Sequence, residues 1–169
     1  MTAVRDVGFV EMRIAKVVGL GAADDELFQY VVLDEVSGDR QLAIGIGQAE
    51  AFSLAARLGG IAWRRPMPSQ FVAALVQALG GRVRQVRMDR LVEEAYAATV
   101  EVEGSIGVHS IDSRPSDALN LALMMDVPIF AAPEVLQEAE TRRAGDSAGA
   151  ALPREALVTP PMTVGTVGM

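Results

Sequence analysis

Residues 110–130, SIDSRPSDALNLALMMDVPIF, decide how the chain is read. A strand-like run ends at Asp112, and Arg114, Ser116 and Asp117 crowd the start of an apolar stretch. Pro115 suits the first position of a helix, where an N–H would have no intrahelical partner anyway. The helix is expected from about Pro115 to Met125 and must stop before Val127, because Pro128 disfavours helical geometry in the residue ahead of it. VPIFAA then reads as a short strand. Strand, helix and strand form a βαβ crossover, expected to be parallel and right-handed.

Upstream, Val10, Glu11, Met12, Arg13 and Ile14 alternate apolar and charged, the period of a half-buried strand. GAADDE is a polar turn, and LFQYVVLDE and RQLAIGI read as strands joined by VSGD, a hairpin turn. The chain therefore opens as a small antiparallel sheet. QAEAFSLAARLGG switches to helical spacing, with Ala49, Phe52, Ala55 and Ala56 on one face and Gly59 and Gly60 as the stop. IAWRRPMP is a loop, and Ser69 is the expected N-cap of QFVAALVQAL, which ends at Gly80 and Gly81. RVRQVRM and EAYAATVEVE alternate around a polar DRLVE, Gly104 and Ser105 turn the chain into IGVHSID, and PEVLQEAETRR is a last helix.

The fold class is therefore α/β (α+β): a single domain over residues 10–144, with a mixed sheet, an antiparallel N-terminal part, a C-terminal βαβ crossover and four helices. Residues 1–9 are a lead. Residues 145–169, rich in Gly, Ala, Pro and Thr without periodicity, are expected to be a disordered tail.

Composition narrows the function. With 169 residues, half of them hydrophobic, the chain can bury one ordinary core. There is no cysteine, which excludes disulfides, thiolate metal sites and a cysteine nucleophile and agrees with a cytoplasmic location. A net charge of −7 is not that of a protein that coats nucleic acid, although a local cationic patch can still hold one phosphate. Arg5, Asp6, Glu11, Arg13 and Lys16 interrupt any signal-peptide core, and no apolar run approaches the roughly 20 residues that span a bilayer. No membrane association is expected.

Two readings of residues 112–117 stand side by side. In one, they cap a helix: a first-turn carboxylate is favoured by the dipole and the free N–H groups, and Asp112 and Arg114 form a local ion pair. In the other, they form a site. Arg114 offers a fork for a phosphate at a helix N-terminus. Asp112 and Asp117 are hard oxygen donors suited to a shared Mg²⁺ or Mn²⁺, which would polarise a phosphodiester and activate water.

The segment IDSRPSDALNLALMMDVPIFAAPEVL resembles the signature of the bifunctional nuclease domain family: a strand ending in Asp, then Arg-Pro-Ser-Asp-Ala, an apolar helix and a Pro-Ile-Phe strand. VVGL at 17–20, LAIGIGQAEAFSLA at 42–55, RRPMPSQFVAALVQALGGRVRQVRM at 64–88 and AYAATVEVE at 95–103 follow the family's order. The resemblance implies an α/β domain that associates with copies of itself and acts as a nuclease on DNA and RNA. The matching polar positions are Glu50, Asp112, Arg114, Ser116 and Asp117. The chain departs from the pattern at Pro68, Ser69 and Gln70, where the family typically has Thr, His and Asp, and at Gly45, where it has tryptophan.

The expected activity is metal-assisted hydrolysis of phosphodiester bonds in DNA or RNA. Asp112 and Asp117 would hold the ion, Arg114 would stabilise phosphate charge, Ser116 would position it, and Glu50 would be a further ligand or base. Arg64, Arg65, Arg82 and Arg84 are the candidate nucleic-acid contacts, read otherwise as a solvated sheet face. His109, the lone histidine, stands where the family has an apolar residue. The alternatives are a non-catalytic oligomeric module and a small phosphate- or nucleotide-binding protein.

Overall fold

A computed structural model of the chain describes residues 8–21, 27–93 and 95–146. In chain order the elements are β1 (Val10–Gly21), β2 (Leu27–Glu35), β3 (Gln41–Ile46), α1 (Gln48–Leu58), α2 (Pro68–Ala78), β4 (Arg82–Val92), β5 (Ala95–Gly104), β6 (Gly107–Ser113), α3 (Pro115–Met125), β7 (Ile129–Ala131) and α4 (Pro133–Asp146). The strands form one mixed sheet in the order β3-β2-β1-β7-β4-β5-β6. The expected N-terminal antiparallel sheet is β1 to β3, with a bulge in β1 between Ile14 and Lys16.

The crossover is parallel, but its strands are not neighbours. β6 lies at the sheet edge, while β7 inserts between β1 and β4, antiparallel to the first and parallel to the second. Three-residue β7 thereby fastens the two antiparallel halves into one sheet. Its alternate residues Ile129 and Ala131 are buried with their partners Met12, Val86 and Met88.

α3 is the central helix. Ser116 and every residue from 118 to 122 are buried, as expected for a helix that is apolar nearly all round. It touches α1, α2, β4 and β5. Leu33, Leu42, Leu54, Leu119 and Leu136 are wholly buried, each stabilising the fold by about 1.5–3 kcal/mol. Its C-terminus is closed by Asp126 in the left-handed region at φ 52°, a conformation a short polar side chain tolerates. Pro128 reinforces the stop.

The glycine pairs end α1 and α2 as expected. Gly60 and Gly80 take φ of +71° and +75°. The following N–H groups of Ile61 and Gly81 donate back to the carbonyls of Ala56 and Val76 at 2.9 Å, the reversed 6→1 bond of a Schellman stop.

Several local expectations are corrected. The buried face of α1 is Ala51, Leu54, Ala55 and Ala56, whereas Ala49 and Phe52 are exposed; Phe52 instead holds Trp63 edge-on at 5.3 Å. The polar DRLV does not lie between the two strands but forms the end of β4, which absorbs it through a bulge between Met88 and Arg90. Ser69 is not the N-cap of α2. That place belongs to Met67, whose N–H donates to Gln70 Oε1 at 2.7 Å, half of a capping box. α4 continues to Asp146, and the tail residues 147–169, lead residues 1–7 and turn residues 22–26 lie outside the described residues. Among the described residues no helix is long and apolar enough to cross a membrane.

Candidate active site at the joined starts of two helices

Residues 64 positions apart in sequence meet where α1 and α3 begin. Arg114 is the N-cap of α3, and Asp117 follows in its first turn. The Arg114 fork grips Asp117, with Nε donating to Oδ2 at 2.7 Å and Nη2 to Oδ1 at 3.0 Å. Nη2 also lies 3.1 Å from Glu50 Oε1, in the first turn of α1. The bonds to Asp117, then its charge and that of Glu50, raise the Arg114 pKa above its ordinary value. The guanidinium is permanently cationic here. Its side chain is 66% exposed, and Nη1 has no hydrogen-bond partner among the described residues.

Neither helix start is closed by a side chain of its N-cap residue, Gly47 in α1 and Arg114 in α3. The two helix starts are joined by the Glu50–Arg114 contact, and each carries an acid in its first turn, Glu50 and Asp117, where a carboxylate is favoured. Gly47 matters for space. Its φ of −68° and ψ of 158° suit any residue, but a Cβ there would fall on the Glu50 carboxylate, which folds back over the N-cap.

The other predicted site residues are placed differently. Ser116 is buried, and its carbonyl accepts from Asn120 Nδ2 at 3.0 Å; it does not join the exposed cluster. Asp112 is exposed on β6 opposite Thr99. That parity is also that of Glu101 and Glu103, whereas buried Ala98 and Val100 face the core. Asp112 thus belongs to the polar face of the sheet, and no ion pair between Asp112 and Arg114 forms. Among the described residues no group of three or more His, Asp or Glu side chains could hold a metal ion. Glu50 and Asp117 instead enclose a guanidinium. This donor set does not fit a metal cage, and Asp112 does not complete one.

Arg82 and Arg84 are occupied by an acid on the next strand. Arg82 Nη2 lies 2.6 Å and Arg84 Nε 3.9 Å from Glu103 Oε2. Arg87 is 2.9 Å from Glu101. These three arginines are thus paired with acids of the neighbouring strand, while the Arg82 side chain stays 66% exposed. Arg64 and Arg65 are exposed on the loop between α1 and α2, without an ion-pair partner among the described residues. His109 is exposed on β6 opposite Val102.

The sequence reading missed Gly47, Ser53 and Asn120. Asn120 is buried in α3, and its Oδ1 accepts from Ser53 Oγ of α1 at 2.8 Å. A single amide inside an otherwise apolar helix was the available signal, since such a group needs a partner.

The bifunctional nuclease domain matches residues 31–144 of the chain. An uncharacterized protein of Mycobacterium tuberculosis is 33% identical over 124 residues, covering 73% of this chain and 74% of the relative. Bifunctional nuclease 1 of Arabidopsis thaliana is 37% identical over 79 residues, 45% of this chain and 24% of that protein. Bifunctional nuclease 2 of Oryza sativa is 30% identical over 99 residues, 56% of this chain and 30% of that protein. The aligned part is thus under a third of each plant nuclease.

Proposed function

Since the chain belongs to the bifunctional nuclease domain family, we propose that it hydrolyses phosphodiester bonds of DNA or RNA where α1 and α3 begin. The observation that carries this reading is the open Nη1 of Arg114, on a guanidinium whose other donors are held by Asp117 and Glu50. Its two N–H groups can serve phosphate oxygens while the carboxylates fix the plane of the fork. Water forms a new P–O bond as the P–O bond to the leaving sugar oxygen breaks; Glu50, whose Oε2 has no bond to Arg114, accepts the water's proton, and solvent returns a proton to the leaving oxygen. Arg64 and Arg65, exposed and unpaired among the described residues, are the flanking backbone contacts in this reading.

No step is assigned to a metal, because the acidic groups surround Arg114 rather than a vacant centre. The test is cleavage of labelled single- and double-stranded DNA and RNA oligonucleotides by purified protein, with Mg²⁺, Mn²⁺ or EDTA. Cleavage abolished by Asp117→Asn, with circular dichroism unchanged, supports the reading. Equal cleavage by that variant sinks it.

A second reading, an oligomeric module without catalysis, draws on one feature. α2 exposes Phe71 (62%), Val72, Leu75 and Leu79 (79%) on one side, a helical stripe with no partner among the described residues. We propose that a second copy covers it. Sedimentation of the wild type against Leu75→Glu tests this, and a monomeric wild type refutes it.

A further inference from the structure

α1 and α3 touch at three levels. At one end Glu50 Oε1 meets Arg114 Nη2 at 3.1 Å. At the other, Arg57 Nη2 donates to the Met124 carbonyl at 3.5 Å. Between them Ser53 Oγ donates to Asn120 Oδ1 at 2.8 Å, and Asn120 Nδ2 donates to the Ser116 carbonyl at 3.0 Å. Residues 50, 53 and 57 follow one another at steps of three and four, as do 117, 120 and 124, so each set lies on one helix face. The two helices therefore run side by side with their N-termini together.

The outer two contacts reach solvent, where water and salt compete with them, so they are weak determinants of helix position. The middle one is shielded, with Asn120 8% exposed. A buried amide is costly unless both of its ends are bonded. Asn120 meets that demand only in the register that sets Ser53 opposite it, and the same register sets Glu50 opposite Arg114.

We propose that Asn120, acting through Ser53 and the Ser116 carbonyl, is the positioning residue for the Glu50–Arg114–Asp117 cluster. It sets the height of α1 against α3 and holds the turn of α3 that carries Asp117. Its effect on catalysis rests on the phosphodiesterase reading; its effect on the cluster does not.

The test therefore has two arms on the same full-length variants. In the first, nitrogen-15 NMR follows the Arg114 Nη2–H signal, since Nη2 is the atom that meets Glu50 of α1. Ser53→Ala is expected to move it toward that of a solvent-exposed arginine, and Ser53→Thr, which keeps a hydroxyl, is expected to retain it. In the second arm, Ser53→Ala lowers kcat for oligonucleotide cleavage roughly tenfold with KM nearly unchanged, and Ser53→Thr recovers it. Asn120→Leu repeats the loss from the other side; should it fail to fold, Ser53→Ala still decides, since alanine suits a helix interior. Wild-type NMR signal in Ser53→Ala overturns the proposal, as does equal damage by Ser53→Thr. A wild type that cleaves nothing overturns the phosphodiesterase reading instead, and the NMR arm then judges the positioning role alone.

Discussion

Gly47→Ala is a one-methyl perturbation outside any bond to Arg114. The backbone at Gly47, φ −68° and ψ 158°, is open to alanine without strain. The new Cβ would sit inside contact distance of Glu50 Oε2 and 3.2 Å from its Cδ. To reach ordinary van der Waals separation the oxygen must retreat by about an ångström. For stability, alanine replaces glycine at an N-cap, costing roughly 0.5–1 kcal/mol, while the less flexible unfolded chain returns about 0.4–1 kcal/mol. The terms nearly cancel, so Tm should move by no more than about 2 °C. Activity has no such compensation. Displacing a reacting group by about 1 Å costs on the order of 100-fold in rate. The assay is oligonucleotide cleavage beside thermal unfolding of the same sample. A variant that cleaves at the wild-type rate refutes a role for the Glu50 carboxylate position. One that loses many degrees of Tm along with its rate refutes the argument that only the carboxylate moves.

Arg114→Gln removes the fork, and kcat/KM should fall about 100- to 1,000-fold without loss of helix content by circular dichroism. Leu119→Ala empties a wholly buried position of the central helix and should cost about 2–5 kcal/mol in a urea titration, with the m-value unchanged. Arg40 donates to both Glu35 carboxylate oxygens at 2.8 and 3.1 Å, and this bonding holds the Glu35 pKa below its ordinary 4.5. Because the folded pKa is the lower one, the pair's contribution is complete above pH 4.5 and is lost as pH falls through the folded value. Glu35→Gln should therefore be the less stable protein at neutral pH and match the wild type in strong acid; a constant difference across that range would contradict the linkage. Arg82→Gln, already paired with Glu103, should leave the salt dependence of nucleic-acid binding unchanged, while Arg64→Gln should make it shallower.

Much of the architecture was legible because its signals are local. Alternation marked β1, β4 and β5, turn residues set off β2, β3 and β6, glycine pairs stopped α1 and α2, and Pro115 and Pro128 bracketed α3. The errors arose where local and tertiary preferences differ. Phe52 is apolar yet lies on the outer side of α1, whose buried face is Ala51, Leu54, Ala55 and Ala56. DRLV looks polar but stays extended because β5 pairs with Arg90, Leu91 and Val92, while the bulge takes up Asp89. The site divided in the same way. Asp117 and Arg114 are one helical turn apart and were visible together, whereas the parity of β6 sends Asp112 to the opposite face.

The sequence by itself determined which residues form helices and strands, which junction carries the charge, and which family the chain resembles. Those depend on dihedral preference, hydrophobic period and motif, all properties of short segments. Only the tertiary structure decided that β7 joins the two halves of the sheet, that Glu50 reaches Arg114 across 64 residues, and that Asn120 finds Ser53. Those contacts depend on how a nearly all-apolar α3 is enclosed by its neighbours, and burial from every side leaves no periodic signal in the sequence to say which neighbour lies where.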